Sequence, residues 1–476
     1  MTTWYDVSDL TSWHLGHLTG IQRTVVGVLN GLVDCGAAPR LVRYNIDQRR
    51  FEEIDVRSLP AAVVRHLPWA SAPETDHPPL PGEPTEAGSP GRWLSRERIF
   101  GTSHAAAELR LAFREFKHAG RQLRRKIRRW ASVRFHRREA GLSPVVRARR
   151  GGRTLPLPAA PPPAAGPCQP GDVLLSLSAS WTIPGHAEAV AAERKRGVAA
   201  VRMIYDLIPA IKPQWVDEES RLQVTRWLRS LLTESDGILT ISEFSRGEIE
   251  AYCQENRLPQ PPLTVVRLGD QLGSADDQAP PLPRFVPRRP FFVCVSTLDI
   301  RKNHRLLYDA WQVLAARDPA GCPDLVCLGV PHLFVSDLLR EIRQDRAVNG
   351  RIHVLSDVDD AELAWYYRNS AATIYPSRYE GWGLPVAESL GHGRLCLASN
   401  ATSIPEISPD LPVFFDPFNA RELVALVEKT LQEPDWVRAR EAAIRQRFAP
   451  TPWTATARQV TTAIERAASD SRREAA

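Results

Sequence analysis

The run Tyr375-Pro376-Ser377-Arg378-Tyr379-Glu380-Gly381-Trp382-Gly383-Leu384-Pro385-Val386-Ala387-Glu388 decides how the rest of this chain is read. Before it, the apolar residues Ala371 to Tyr375 read as a short buried strand. After it, Val386 to Leu390 are good helix formers that stop at Gly391-His392-Gly393. A strand therefore meets a helix here. Pro385 suits the first helical turn, because its missing N–H is one that a helix start leaves unpaired, and Gly381 and Gly383 free the turn before it sterically. Such a turn aims backbone N–H groups at an anion, and the positive end of the helix dipole adds to their pull.

Two carboxylates frame that anion site. Glu380 lies in the turn and Glu388 about one helical turn inside, so both face one crevice. Carboxylates accept from hydroxyls and N–H groups donate to phosphate oxygens, which points to a nucleotide-sugar rather than a bare phosphate. The pair also reads more plainly, as a buried helix start with Glu388 on the solvated face, since glutamate is common on helices.

A length of 476 residues predicts two or three domains, each able to bury its own core. With 43% hydrophobic and 24% charged residues the composition is that of a soluble globular protein. No apolar run matches a bilayer span, and the start Met1-Thr2-Thr3-Trp4-Tyr5-Asp6 lacks the basic and apolar regions of a secretion signal, so a cytoplasmic location is expected. Seven cysteines, an odd count without paired metal-type spacing, fit a reducing compartment, and Cys322 and Cys327 have no second pair with which to hold zinc. The net charge of +6 is uneven, because Lys and Arg dominate between Arg110 and Arg138.

Along the chain, Trp4 to Ser8 reads as a strand, and Ile21, Val25, Val28, Leu29 and Leu32 as the stripe of a helix. Gly20 and Arg23 at that helix start are candidates for a phosphate or an acceptor sugar, or simply a loop glycine and a solvated arginine. Residues 92–170 form an insertion in the first domain. Within it Phe113, Phe116, Leu123, Ile127 and Trp130 give the basic segment 105–138 one apolar stripe among arginines, and Pro156 to Pro170 closes it as a proline-rich connector. That helix suits an anionic membrane surface, each nearby basic residue contributing roughly 1 kcal/mol. It reads equally as a helix packed on the domain core, and no nucleic-acid motif accompanies it. Strand and helix patterns then alternate, which predicts parallel sheets with right-handed crossovers. The expected organisation is an N-terminal acceptor-binding domain over 1–270, a hinge over 271–289, a nucleotide-sugar domain over 290–449, and a C-terminal helix and tail over 450–476 directed back to the first domain.

Six pieces in order resemble one family: Thr19-Gly20-Ile21-Gln22-Arg23, Asp206-Leu207-Ile208-Pro209, Ile241-Ser242-Glu243-Phe244-Ser245, Val295-Ser296-Thr297 leading to Arg301-Lys302-Asn303, Tyr379 to Pro385 with Glu388, and Ile404-Pro405-Glu406. The chain resembles the retaining nucleotide-sugar glycosyltransferases of the GT-B fold, family 4, and especially the bacterial branch that builds O-antigens and exopolysaccharides. The resemblance implies an α/β architecture of two Rossmann-like domains facing across a cleft, with the basic insertion added to the first. It implies that Arg301 and Lys302 clamp the diphosphate with the amides of Gly381, Trp382 and Gly383. Leu384 joins the donor pocket, Glu380 lies by the transferred sugar, and Glu388 takes the ribose hydroxyls. Gly20, Arg23, Tyr205, Asp206 and Ser242 join as further substrate contacts. The implied partners are a nucleotide-sugar donor, a lipid-linked saccharide acceptor and, through 105–138, the inner face of the cell membrane. No nucleic acid is expected, and oligomeric state is left open.

No cofactor is expected and no metal, since two cations and a helix end do the neutralising. Asp357-Val358-Asp359 resembles the acidic triplet of another transferase fold, but it precedes a helix that such residues cap. One departure stands out: Tyr205-Asp206 occupies the place of a His-Asp pair whose histidine contacts the donor sugar in similar proteins. Tyrosine can hydrogen-bond a hydroxyl but supplies no imidazolium, and His14, His17 and His186 are the residues available to compensate. The rival readings are a catalytically impaired GT-B scaffold at the membrane and a transferase acting on soluble glucan.

Overall fold

A computed structural model describes residues 1–13, 18, 20–71, 166–271, 282–332 and 334–475. The basic helix expected at 105–138, nearly all of the insertion with its proline-rich connector, His14, His17 and Thr19, and much of the 271–289 hinge lie outside the described residues.

The first sheet joins seven strands, β1 (Thr3–Asp6), β2 (Arg40–Asn45), β3 (Arg50–Ile54), β4 (Val173–Ser176), β5 (Ala199–Met203), β6 (Gly237–Thr240) and β7 (Leu263–Val265), in the order β3-β2-β1-β4-β5-β6-β7. All neighbours are parallel except the edge pair β2–β3. Strands β4, β5 and β6 are buried along their whole length, as strands covered by helices on both faces must be. The antiparallel edge had no counterpart in the sequence reading. Its charged residues obscure the apolar alternation and instead pair across the strands, Arg43 with Glu52 at 2.7 Å and Arg40 with Glu53 at 2.8 Å. The longer first-domain helices are α1 (Gly20–Asp34), α2 (His186–Lys195), α3 (Glu218–Thr233) and α4 (Glu243–Asn256). Asp217 and Ser242 cap the last two by accepting the N–H of Ser220 and Ser245.

The second sheet is wholly parallel. It contains β8 (Phe291–Val295), β9 (Asp324–Leu328), β10 (Ile352–Leu355), β11 (Ala372–Tyr375), β12 (Cys396–Ser399) and β13 (Val413–Phe415), in the order β10-β9-β8-β11-β12-β13. The order reverses between β8 and β11, and a doubly wound sheet binds its ligand at that switch point, outside the strand C-termini. Helices α5 (His304–Arg317), α6 (Ser336–Gln344), α7 (Asp360–Asn369) and α8 (Leu384–Gly391) connect these strands, and α9 (Ala420–Gln432) follows the last of them.

Three more elements bear on the sequence reading. Ile404–Ile407, quoted above only as a motif, is a short helix. Pro434–Arg447 forms α10, which escaped notice because it buries only Glu441 and Ile444. The last helix, α11 (Trp453–Ala475), takes up nearly all of the stretch expected as a helix and tail. It lies against α1, and a Cβ added at Gly27 or Gly31 would stand 2.3 Å from the Trp453 ring or backbone. One apolar cluster unites Val25, Val28 and Leu29 of α1, Val460 and Ile464 of α11, and Tyr375, Trp382 and Val386 of the second domain. The two sheets therefore share a packed floor beneath their cleft.

Candidate active site

At the switch point β8 leads into Ser296 and Thr297, and Asp299 then accepts the Arg301 N–H at 3.0 Å to start a single turn over Ile300–Lys302. Asn303 ends that turn in a left-handed conformation, φ 62°, which asparagine tolerates better than most residues. Its buried amide donates to the carbonyls of Pro376 at 3.0 Å and Pro417 at 2.7 Å, fixing this turn to the ends of β11 and β13. Arg301 and Lys302 are thereby set beside the turn that follows β11.

Glu380 sits between them. One carboxylate oxygen accepts from Lys302 Nζ at 2.6 Å and Ser377 Oγ at 2.5 Å, the other from Arg301 Nη1 at 2.8 Å. Burial by itself would raise its pKa. The charges of Arg301 and Lys302 and the two bonds to Oε1 outweigh that effect and hold it at about 2, so the group is anionic. Lys302 also donates to the Tyr375 hydroxyl at 2.8 Å. Two cations around one anion leave this corner of the pocket a surplus positive charge.

The turn is pinned from behind. Thr402 Oγ1 accepts the Glu380 N–H at 3.0 Å, and Ser403 Oγ donates to the carbonyls of Glu380 at 2.9 Å and Trp382 at 3.1 Å. Gly383 has φ 128°, a conformation that favours glycine, whereas Gly381 is required for space: a Cβ there would stand 2.3 Å from the Tyr205 carbonyl oxygen. Among the described residues the amides of Gly381, Trp382 and Gly383 donate to no protein acceptor. Glu388, 3% exposed one turn inside α8, accepts from Arg23 Nη1 at 2.7 Å and from the Tyr367 hydroxyl at 2.8 Å. The buried Tyr367 ring is in turn stacked on His392, centroids 5.0 Å apart.

Arg301, Lys302, Tyr375, Glu380, Gly381, Trp382, Gly383 and Glu388 line a cavity of about 510 Å³ together with Gly20, Arg23, Thr24, Tyr205, Asp206, Ser296, Gly329, Val330, Asp357, Val358, Leu384 and Pro385. That volume suits a small-molecule ligand. Asp206 is half-buried next to Arg301. Burial raises its carboxyl while the Arg301 charge opposes the rise, and one oxygen accepts the Ile208 N–H at 3.0 Å.

Some sequence-derived candidates are placed differently. The Tyr205 hydroxyl donates to the Leu177 carbonyl at 2.7 Å, so its proton does not serve a sugar as an imidazole N–H would, although the residue lines the cavity. His186 does not replace it either, because its ring is 1% exposed and its Nε2 lies 2.6 Å from Asp6 Oδ2 in a core network with Ser8 and Ser176. Ser242 is fully buried, caps α4 and lies outside the cavity lining. Asp359 accepts the Glu362 N–H at 2.8 Å as the cap of α7. Tyr367 and Ser403 are not among the sequence-derived candidates, and Ser377, Tyr375 and Asn303 enter there only as members of quoted motifs. The tyrosines read as core residues of α7 and β11, and a hydroxyl has no spacing that marks it.

Residues 280–447 match the family described as Glycosyl transferases group 1. Over 252 residues, half of this chain, the sequence is 26% identical to the O-antigen chain mannosyltransferase B of Escherichia coli, covering 62% of that protein. Over 236 residues, 46% of the chain, it is 28% identical to the serotype-specific mannosyltransferase WbdA of Escherichia coli, covering 27% of it. The chain thus spans less than two thirds of the length of these relatives. Among solved structures, Anabaena Alr3699/HepE in complex with UDP and glucose aligns over 62% of this chain and 78% of its own, with a TM-score of 0.48 and 15% identity. Two doubly wound sheets thus face across a cleft, and the second of them carries the Glycosyl transferases group 1 domain.

Proposed function

We propose that this protein transfers a sugar from a nucleotide-sugar donor to a saccharide acceptor in the synthesis of a bacterial surface polysaccharide, with retention at the anomeric carbon. The observation that carries the reading is Glu380, anionic between Arg301 and Lys302 at the switch point, with the unpaired amides of residues 381–383 beside it. Breaking a sugar–phosphate bond puts charge on the β-phosphate. Arg301, Lys302 and the amides lie where that charge develops, and each is more effective in a site shielded from water. Arginine forks onto two oxygens, and lysine acts as a point charge that Glu380 shares with the phosphate. The Glu380 carboxylate faces the positive charge that grows at the anomeric carbon. Glu388 keeps lone pairs beyond those engaged by Arg23 and Tyr367 and takes the ribose hydroxyls. Retention follows from attack on the face that the phosphate leaves, with that phosphate taking the acceptor proton.

The relatives named as mannosyltransferases favour mannose as the transferred sugar, and the O-antigen relative favours a lipid-linked acceptor. The two cations and the turn do the neutralising, so the reaction is proposed to run without a metal. Among the described residues no helix is long and apolar enough to cross a membrane. Access to a lipid-linked acceptor is assigned to the basic segment 105–138, on its sequence alone.

The test is incubation of the full chain with GDP-, UDP- and dTDP-sugars and a lipid-linked oligosaccharide, with and without EDTA, and NMR of the product anomer. One donor consumed, an unchanged rate in EDTA, a retained anomer, and loss of transfer in Lys302→Ala and Glu380→Gln are expected. If no donor binds or is consumed, the reading fails. Donor binding without turnover would support the scaffold instead, and sedimentation with anionic vesicles tests the membrane assignment separately.

A further inference from the structure

Glu406 belongs to the second domain, yet its carboxylate is spent on the first. Oε2 accepts the Glu243 N–H and Oε1 the Phe244 N–H, both at 2.8 Å. These are two of the amides that every helix leaves unpaired at its start, and the next, Ser245, is taken by the Ser242 side chain. The first turn of α4 is therefore capped partly by its own domain and partly by a carboxylate from across the cleft, where charge and helix dipole reinforce each bond.

Other contacts converge on the same seam. Arg267, just after β7, donates to the Ile407 carbonyl at 3.2 Å, and its guanidinium stands 5.0 Å over the Trp382 ring. Phe244 and Trp215 of the first domain meet the Tyr379 ring edge-on at 5.7 and 6.3 Å. Tyr379 immediately precedes Glu380, and Ser403, one helical turn before Glu406, donates to the Glu380 and Trp382 carbonyls. The seam thus grips both flanks of the turn that holds Glu380.

We infer that Glu406 is a positioning residue: its carboxylate latches the cleft shut on the first two amides of α4, and this closure sets the Glu380 turn against Tyr205 and Asp206. The inference rests on reading the cleft as a nucleotide-sugar site. The diphosphate and ribose groups, Arg301, Lys302, the 381–383 amides and Glu388, are all on the second domain, and Glu406 bonds to none of them. Losing the latch consequently harms turnover more than donor binding.

The full chain is compared with Glu406→Ala, Glu406→Gln and Glu243→Pro. Proline is favoured at a first helical position, and Ser242 before it is extended, φ −153° and ψ 157°, as a residue preceding proline prefers. Glu243→Pro therefore deletes one latch amide from the opposite wall and leaves Glu406 in place. Three quantities are measured: kcat and KM for transfer, the Kd for GDP and UDP, and the radius of gyration from small-angle X-ray scattering. For Glu406→Ala and Glu243→Pro, kcat should fall about tenfold or more while the nucleotide Kd stays within about threefold, and the scattering should show a wider cleft. Glu406→Gln should be intermediate, and the Ala/Pro double variant no worse than the poorer single one, since both break one interaction. Unchanged kcat or an unchanged radius of gyration overturns the inference, and should Glu406→Ala fail to fold, Glu243→Pro decides it alone. A wild-type protein that binds no nucleoside diphosphate defeats the functional reading instead, while a cleft that still widens in the variants upholds the latch.

Discussion

Replacing Gly381 by alanine tests how closely the two walls of the cleft must meet. An added Cβ would stand 2.3 Å from the Tyr205 carbonyl oxygen, 3.2 Å from its carbon and 3.3 Å from Asp206 Cβ. Carbon needs about 3.5 Å from its neighbours, so the methyl acts as a wedge of roughly 1 Å. The opposing segment has little freedom to retreat. Tyr205 is tied to Leu177 by its hydroxyl and to Ser245 by its carbonyl, and Asp206 is bonded to the Ile208 amide. Gly381 is not among the residues with positive φ, so alanine brings no backbone strain of its own. The domains must separate at this point. A misplacement of about 1 Å costs up to about 100-fold in rate, whereas nucleoside diphosphate affinity, set by the second domain, should change less than about threefold. Steady-state transfer assays with calorimetry on GDP and UDP read the two effects separately. Transfer unaffected by the methyl would refute the reasoning, because turnover would then not pass through a cleft closed to this distance.

Tyr367→Phe removes one hydrogen bond to the buried Glu388 carboxylate and should weaken nucleotide binding about tenfold with kcat nearly unchanged, as titration calorimetry and kinetics would show. Burial, aided by the Lys302 charge, holds His304 at about 4, against 6.5 in an unfolded chain. The native state therefore takes up fewer protons, and stability complete above pH 6.5 falls by as much as about 3 kcal/mol as pH drops towards 4. Urea unfolding at pH 7 and 4.5 should show a smaller loss for His304→Gln than for the wild type. Glu248 is raised to about 7 by burial and the nearby Asp206 charge, so the folded chain retains a proton that the unfolded chain gives up near 4.5. Stability is lost as pH rises through this window, and Glu248→Gln should raise the unfolding temperature at pH 8 but not at pH 5.

Much of this architecture is legible because parallel strands covered on both faces are continuous apolar runs, and β4, β5, β11 and β12 stand out as such. The edge pair β2–β3 is not, since its charged residues are satisfied only by each other, a relation invisible until the register is known. The same distinction holds in the site. Arg301, Lys302 and Glu380 follow the ends of adjacent strands, so local sequence and a switch-point rule suffice to bring them together. Arg23 and Glu388 lie 365 residues apart, and their pairing depends on how two separately folded sheets dock. Tyr205 shows the converse: its position next to Asp206 suggested a sugar contact, but a carbonyl within its own domain takes the hydroxyl. Glu406 stood out within Ile404-Pro405-Glu406, yet nothing local to that motif points to α4 as its partner.

The way α11 is wedged onto α1 bears on how the molecule is made. Gly27 and Gly31 of α1 and Gly269 beyond β7 are hollows shaped to Trp453, and Ala457, Val460, Ile464 and Ala467 complete the first-domain core. A ribosome synthesising this chain releases β1 to β7 long before that helix exists. At roughly 5–20 residues per second the groove stays uncovered for about 10–40 s, while the whole second domain emerges and folds. The first domain is thus finished last, by a segment that has already passed through its neighbour, and a nascent chain halted before Trp453 would present an apolar furrow to chaperones.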